Sequence, residues 1–321
     1  MMKDPACPII TLEEHYSDDE MAGHFPTGGA SRDAHMMDRL RDLGARRIKE
    51  MDEAGIDFQV VSHNAPSGQA LPPEIAVEVC RKVNDRLHEG VRAHPTRLAA
   101  FAALPTADPA GAADELERTV TKLGFKGAMV YGIPGAEFLD HKRYWPIFER
   151  AEKLDVPIYL HPSTVKPAVL GAYYQDYAKD FPMFARPAWG FAVETGTLAI
   201  RLVLSGLFDA YPHLKIMMGH LGESVPFQVW RINQALGRPG QKSINFREIF
   251  CNNFYVTTSG FFSTAALMCC IMEMGTDHVL FSVDWPAVDN LPGTQWLETL
   301  PLSNADKVKI AGGNAKRLLR I

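Results

Sequence analysis

Apolar positions along this chain follow two periods: short runs rich in β-branched and aliphatic residues, and longer stretches with apolar residues three and four apart. Eight short runs stand in order: Ile9 to His15, Asp57 to His63, Leu98 to Leu104, Lys126 to Tyr131, Val156 to His161, Lys215 to His220, Phe254 to Ser259 and Val279 to Asp284. The stretches between them carry helix boundary marks. In ADPAGAADELERTVTKLGF, Asp108 is the expected N-cap, Pro109 opens the first turn and Gly124 follows the end, while Gly275 closes a later helix. Strict alternation of strand and helix predicts a parallel sheet. An open doubly wound sheet would want a glycine-rich phosphate turn after its first strand, where this chain reads EEHYSDDE. The expected fold is therefore α/β, a (β/α)8 TIM barrel forming a single domain over residues 1–321.

Two connections are too long for plain turns. Pro162 to Pro187, after the fifth run, carries Tyr173, Tyr174, Tyr177, Phe181 and Phe184, too aromatic for disorder, and reads as a lid or subunit contact. Ser17 to Ala34, after the first run, contains Phe25 and is expected to close over the same face.

Composition narrows the partners. With 46% hydrophobic and 22% charged residues, a net charge of -5 and no block of more than two Lys or Arg, the chain lacks the field that gathers nucleic acid or an anionic membrane. The start of the chain has no signal-peptide pattern, and no apolar run approaches the roughly 18 to 20 residues of a membrane span. Five cysteines, an odd set without a C-x-x-C pair, are expected as buried free thiols in a cytoplasmic protein.

The chemistry sits where the apolar runs end. Barrel strands meet their active face at their C-terminal ends, and four runs finish on acid or imidazole groups: Glu13 and His15, His161, His220, and Asp284. Strand residues two apart share a face, so the partner of His15 is Glu13 and not Glu14, unless the strand bulges. Glu13, His15, His161 and Asp284 offer carboxylate oxygens and imidazole nitrogens suited to one divalent ion, zinc or manganese. Each has a plainer reading as a capped strand end, a core histidine or a turn aspartate; their company on four strand ends favours the metal. Asp284 would also move a proton. Glu223, three residues after His220 and expected in the first turn of the next helix, would orient and polarise that imidazole. Arg231, on the same helix, is a candidate clamp for a substrate carboxylate, reaching from a neighbouring subunit, or else a surface residue with a packed stem. His63, Asn64 and Gln69 border the same face.

The motifs L-E-E-H, Y-L-H-P, G-H-x-G-E followed by W-R-I, T-T-S-G and F-S-x-D-W-P, with FAALP, GLFD and W-x-F-A-x-E-T from Trp189, resemble the amidohydrolase superfamily. The resemblance, from about Pro8 to the C-terminus, is specifically to γ-resorcylate and 2,3-dihydroxybenzoate decarboxylases, with aminocarboxymuconate semialdehyde decarboxylase more distant. It implies Glu13, His15, His161 and Asp284 as metal ligands, His220 and Glu223 as the catalytic pair with Asp284, and Arg231 as a substrate contact; Phe25, Tyr131 and Trp189 are further candidates for the substrate pocket. It also implies a homodimer or homotetramer with one manganese or zinc ion per subunit. Where the decarboxylases tend to read V-N-G after the fourth strand, this chain reads Val130, Tyr131, Gly132, and the segment from Ile133 to Tyr144 is shorter. The expected activity is nonoxidative decarboxylation of an ortho-hydroxylated aromatic acid, a carbon–carbon lyase. The alternatives are a mononuclear hydrolase of an ester, lactone or amide, and a noncatalytic metal-binding barrel.

Overall fold

The computed structural model describes residues 8–25, 34–133, 137–240 and 242–321. Its parallel strands are β1 (Ile10–Tyr16), β2 (Phe58–His63), β3 (Leu98–Ala100), β4 (Ala102–Ala103), β5 (Ala128–Tyr131), β6 (Ile158–His161), β7 (Ile216–Met218), β8 (Phe254–Thr257) and β9 (Val279–Leu280), in the order β1-β2-β3 and β4 through β9. β3 and β4 are one barrel strand interrupted at Phe101, whose amide donates to Val61 O, while Ala102 N donates to Gly127 O. Each of the eight predicted runs coincides with a barrel strand, the first strand running one residue further to Tyr16, and helices alternate with them, as the two periods required.

The ring closes between β1 and the segment after β9. His15 N donates to Trp285 O at 2.7 Å, and Glu14 bridges to Trp285. Side chains complete this seam. Ser282 Oγ accepts from Leu12 N and Glu13 N and donates to Glu14, whose carboxylate also accepts from Val283 N at 3.0 Å and Trp285 N at 3.1 Å. Glu14 is wholly buried, and burial pushes its pKa up to about 8 against those hydrogen bonds. Arg47, also wholly buried, lies beneath: it donates to His15 O and Gln59 Oε1, and its guanidinium sits 4.0 Å from the Trp285 ring centroid.

Alternation along the strands sorts two cores. Val60, Phe101, Met129, Tyr131, Tyr159, Met217 and Leu280 fill the barrel, while Val61, Val130, Leu160 and Met218 face the helices. Residues of β1 change phase. Ile10 and Leu12 belong to the barrel interior, so regular pleating would next turn Glu14 inward. Pairing to β2 runs Thr11↔Gln59 and then Glu14↔Val61, one extra residue on β1. This bulge reverses the alternation and turns Glu13 and His15 inward instead.

The helix marks hold as predicted. Asp108 caps Pro109–Leu123 by accepting from Gly111 N, and Gly124 (φ +73°) and Gly275 (φ +82°) end their helices in conformations that favour glycine. The aromatic segment after the fifth barrel strand makes its own small core of Val165, Tyr174 and Ala185, with Phe184 against Tyr174, and leaves Tyr173, Tyr177 and Phe181 exposed. In the earlier insertion, Asp19–Gly23 is helical and Phe25 packs on the main core; residues 26–33 of that expected closing segment lie outside the described residues. Of the expected buried thiols, Cys80 and Cys270 are buried, Cys251 and Cys269 are half-buried, and Cys7 lies outside the described residues; the four described are free. Among the described residues no helix is long and apolar enough to cross a membrane.

Candidate metal centre

Glu13, His15, His161 and Asp284 converge at the C-terminal mouth of the barrel, with one donor atom from each lying within 4.8 Å of all the others. Their positions follow from local structure: Glu13 and His15 are turned inward by the β1 bulge, and His161 follows Tyr159 on the inward face of β6. Asp284 lies beyond β9 at a left-handed residue (φ +72°).

The imidazoles are anchored so that Nε2 faces the cluster. His161 Nδ1 donates to Pro162 O at 2.7 Å, and His15 Nδ1 lies 3.4 Å from Ser62 Oγ. His161 Nε2 then stands 3.2 Å from Glu13 Oε1, and His15 Nε2 the same distance from Asp284 Oδ1. Yet Glu13 Oε1 and His15 Nε2 are buried without a hydrogen-bond partner among the described residues. Lone pairs directed at one another in a dry site repel unless a cation lies between them. Two oxygens and two nitrogens at such separations fit one divalent ion, each imidazole carrying a fixed tautomer.

Electrostatics agree with an ionised carboxylate pair. Burial opposes the charge on Glu13, but His220, His161 and His15 hold its carboxyl well below the usual range. Asp284 is likewise lowered, by His15 and His220 against burial. Burial keeps His15 below its usual pKa.

His220 stands beside this cluster. Its Nδ1 donates to Glu223 Oε1 at 2.6 Å, and its Nε2 lies 3.9 Å from both Glu13 Oε1 and Asp284 Oδ2. Burial disfavours its charged form, but Glu223, Glu13 and Asp284 outweigh that and raise its pKa well above the ordinary imidazole value. Glu223 is not in the first turn of a helix, as its position suggested. His220 through Ser224 all have positive φ, from +48° to +78°, and the helix begins at Val225. That left-handed run, costing about 1–2 kcal/mol per non-glycine residue, folds Glu223 back onto His220.

The remaining predicted residues divide. Tyr131 is buried with its ring 4.7 Å from that of His161, but its hydroxyl donates to His63 O, so within this chain the phenol is committed to backbone. Trp189 is half-exposed where the aromatic segment meets the helix Gly190–Leu204. Arg231 is exposed on the helix Val225–Leu236 and is not among the side chains gathered at the mouth of its own barrel. Two groups escaped sequence reasoning: Glu14, read only as the residue pointing away, and Tyr159, which the period-two rule places on the same face as His161.

Comparison with known proteins follows the same lines. An amidohydrolase family profile matches residues 19–321. The γ-resorcylate decarboxylase of Polaromonas sp. is 40% identical over 331 residues, covering 97% of this chain and 98% of that protein. The solved dihydroxybenzoic acid decarboxylase of Polaromonas sp. JS666, with bound manganese and the inhibitor 2-nitroresorcinol, superposes with a TM-score of 0.88 at 39% identity, covering 98% of this chain and 97% of that one. The 5-carboxyvanillate decarboxylase of Sphingomonas paucimobilis gives 0.89 at 32% identity, covering 98% and 99%. An eight-stranded barrel, a four-donor cluster at its mouth and a profile spanning nearly the whole chain lead to one conclusion: the chain belongs to the amidohydrolase family.

Proposed function

We propose that this protein is a metal-dependent nonoxidative decarboxylase of an ortho-hydroxylated aromatic carboxylic acid, a carbon–carbon lyase. The observation that carries the reading is the donor cluster of Glu13, His15, His161 and Asp284, with two buried donor atoms left without a partner among the described residues. These residues would hold one divalent ion, manganese in view of the Polaromonas structure, with zinc the other candidate for the same donor set. When bound, the ion supplies positive charge for the carboxylate and ortho-phenolate of the substrate.

The chain's own groups supply the proton. His220, held by Glu223 through Nδ1, carries the proton and presents Nε2 toward Asp284; it delivers that proton to the ring carbon that bears the carboxylate either directly or by way of the Asp284 carboxylate. That carbon loses aromaticity. The bond to the carboxylate then breaks, its electron pair returns to the ring, and carbon dioxide leaves with the delivered proton remaining on carbon. Phe25, Tyr131 and Trp189 are the proposed walls of the ring pocket, Tyr131 through its ring and not its committed hydroxyl. Arg231, exposed on its own subunit, is assigned to the mouth of a neighbour in a homodimer or homotetramer, where its guanidinium would meet a substrate carboxylate. The free thiols suit a cytoplasmic enzyme.

Carbon dioxide release from 2,6-dihydroxybenzoate, 2,3-dihydroxybenzoate and salicylate, measured on manganese-loaded protein beside acid release from a lactone panel, tests the reading. Release from at least one hydroxybenzoate is expected, and its loss in Asp284→Asn. Turnover of lactones alone would replace decarboxylation with hydrolysis.

A further inference from the structure

Beneath the donor cluster lies a group of three hydroxyls that the proposed chemistry does not use. Tyr159, on β6 two residues before His161, is wholly buried, and its hydroxyl donates to Glu13 Oε2. The same phenol oxygen lies 2.6 Å from Thr257 Oγ1 and 3.1 Å from Ser259 Oγ, and Thr257 and Ser259 are hydrogen-bonded to each other. Thr257 ends β8 and Ser259 follows at a left-handed residue (φ +39°).

Hydrogen-bond directions in this group are forced. An ionised carboxylate only accepts, and a phenol has one proton, so Tyr159 gives that proton to Glu13 and must accept from the Thr257 or Ser259 hydroxyl. The hydroxyls therefore point in series at one carboxylate oxygen, each bond strengthening the next. Gly219 provides the space this oxygen occupies: a Cβ there would stand 2.5 Å from Glu13 Oε2. Glu13 thus has one oxygen fixed by Tyr159, in space left open by the absence of a side chain at Gly219. The other, Oε1, is buried without a hydrogen-bond partner among the described residues and faces His161 and His220.

We propose that Tyr159 is the positioning residue of the metal centre: its hydroxyl, oriented by Thr257 and Ser259, locks the Glu13 carboxylate so that Oε1 alone is presented to the ion. The inference rests on the reading of Glu13 as a ligand. It assigns a task to the tyrosine of Y-L-H-P and to the hydroxyls of T-T-S-G together, although those motifs lie nearly a hundred residues apart in the chain.

Tyr159→Phe removes one oxygen and keeps the ring that fills the barrel. Manganese affinity, measured by calorimetry and by the electron paramagnetic resonance of the free ion, is expected to fall about 10- to 100-fold, the usual effect of losing a group that orients a ligand. The thermal midpoint of the metal-free variant should fall by no more than the loss of this one buried hydroxyl explains, because the ring packing is unchanged. Glu13→Gln serves as reference. If Glu13→Gln loses manganese while Tyr159→Phe binds it within twofold of the parent, the positioning role is wrong and the ligand reading stands. If Glu13→Gln binds manganese like the parent, the ligand reading fails and takes the inference with it. Should Tyr159→Phe not fold, Thr257→Val carries the same comparison: weakened manganese binding supports the role, and unchanged binding overturns it.

Discussion

His63 ends β2 with its side chain turned away from the barrel interior, stacked edge-on against Tyr16 at 5.3 Å. Its Nδ1 donates to Asn64 O, and its Nε2 is buried without a partner among the described residues. Burial holds its pKa down to about 4, against 6.5 for a free imidazole. The sign of the consequence is fixed. Between those two values the unfolded chain binds a proton that the folded chain refuses, so stability falls as pH drops through this window. The full effect, reached below pH 4, is on the order of 3 kcal/mol. Denaturant titrations of metal-free protein between pH 7 and 5 should show a steeper loss for the parent than for His63→Leu. Equal slopes would mean that the imidazole gains a proton partner in solution. No sequence pattern marks His63 as buried and neutral, because that depends on the turn after β1 covering it.

Elements carry the site by departing from regularity in two places. The extra residue in β1 reverses its alternation, and the left-handed run from His220 to Ser224 interposes a tight turn between β7 and its helix. Strand ends, caps and helix stops were legible in the sequence because each depends on a few neighbouring residues, as at Asp108 and Gly124. The inward pair Glu13 and His15 was legible too, since parity counted back from His15 does not cross the bulge. The bulge itself was not, because it shows only in the register against β2. Nor was the left-handed turn, which sets Glu223 against His220 without the helical first turn that its spacing suggested. Gly222 tests that element. A Cβ there would lie 2.8 Å from Val256 Cγ1 and 2.9 Å from the Pro226 ring, at φ +78°. Gly222→Ala should cost about 1–3 kcal/mol of stability and lower kcat by displacing Glu223 from His220, whereas Gly124→Ala, open to solvent on its Cβ side, should cost stability without lowering kcat. Equal kcat in the two variants would show that the turn does not set the pair.

At the scale of the molecule, the donor cluster straddles the seam of the barrel. Glu13 and His15 come from the first strand, Asp284 from beyond the last, and His161 from the opposite half of the ring. An ion that binds only the closed ring stabilises it by mass action, about 2.7 kcal/mol at a hundredfold excess over Kd. Chelation should therefore lower the thermal midpoint, and manganese should restore it. Hydrogen exchange should rise most at the amides of Leu12, Glu13, His15 and Trp285, which join the two edges; exchange rising evenly over all strands would show that the seam holds without the ion.

Seen this way, a cation bound there would do for the backbone what a buckle does for a belt, tying residue 13 to residue 284 across almost the whole contour of the polypeptide. Its withdrawal would leave the two ends of the chain as the first places where a protease finds an opening. Lifetime of the protein in a metal-poor medium would then follow occupancy of this one site and not the strength of the hydrophobic core.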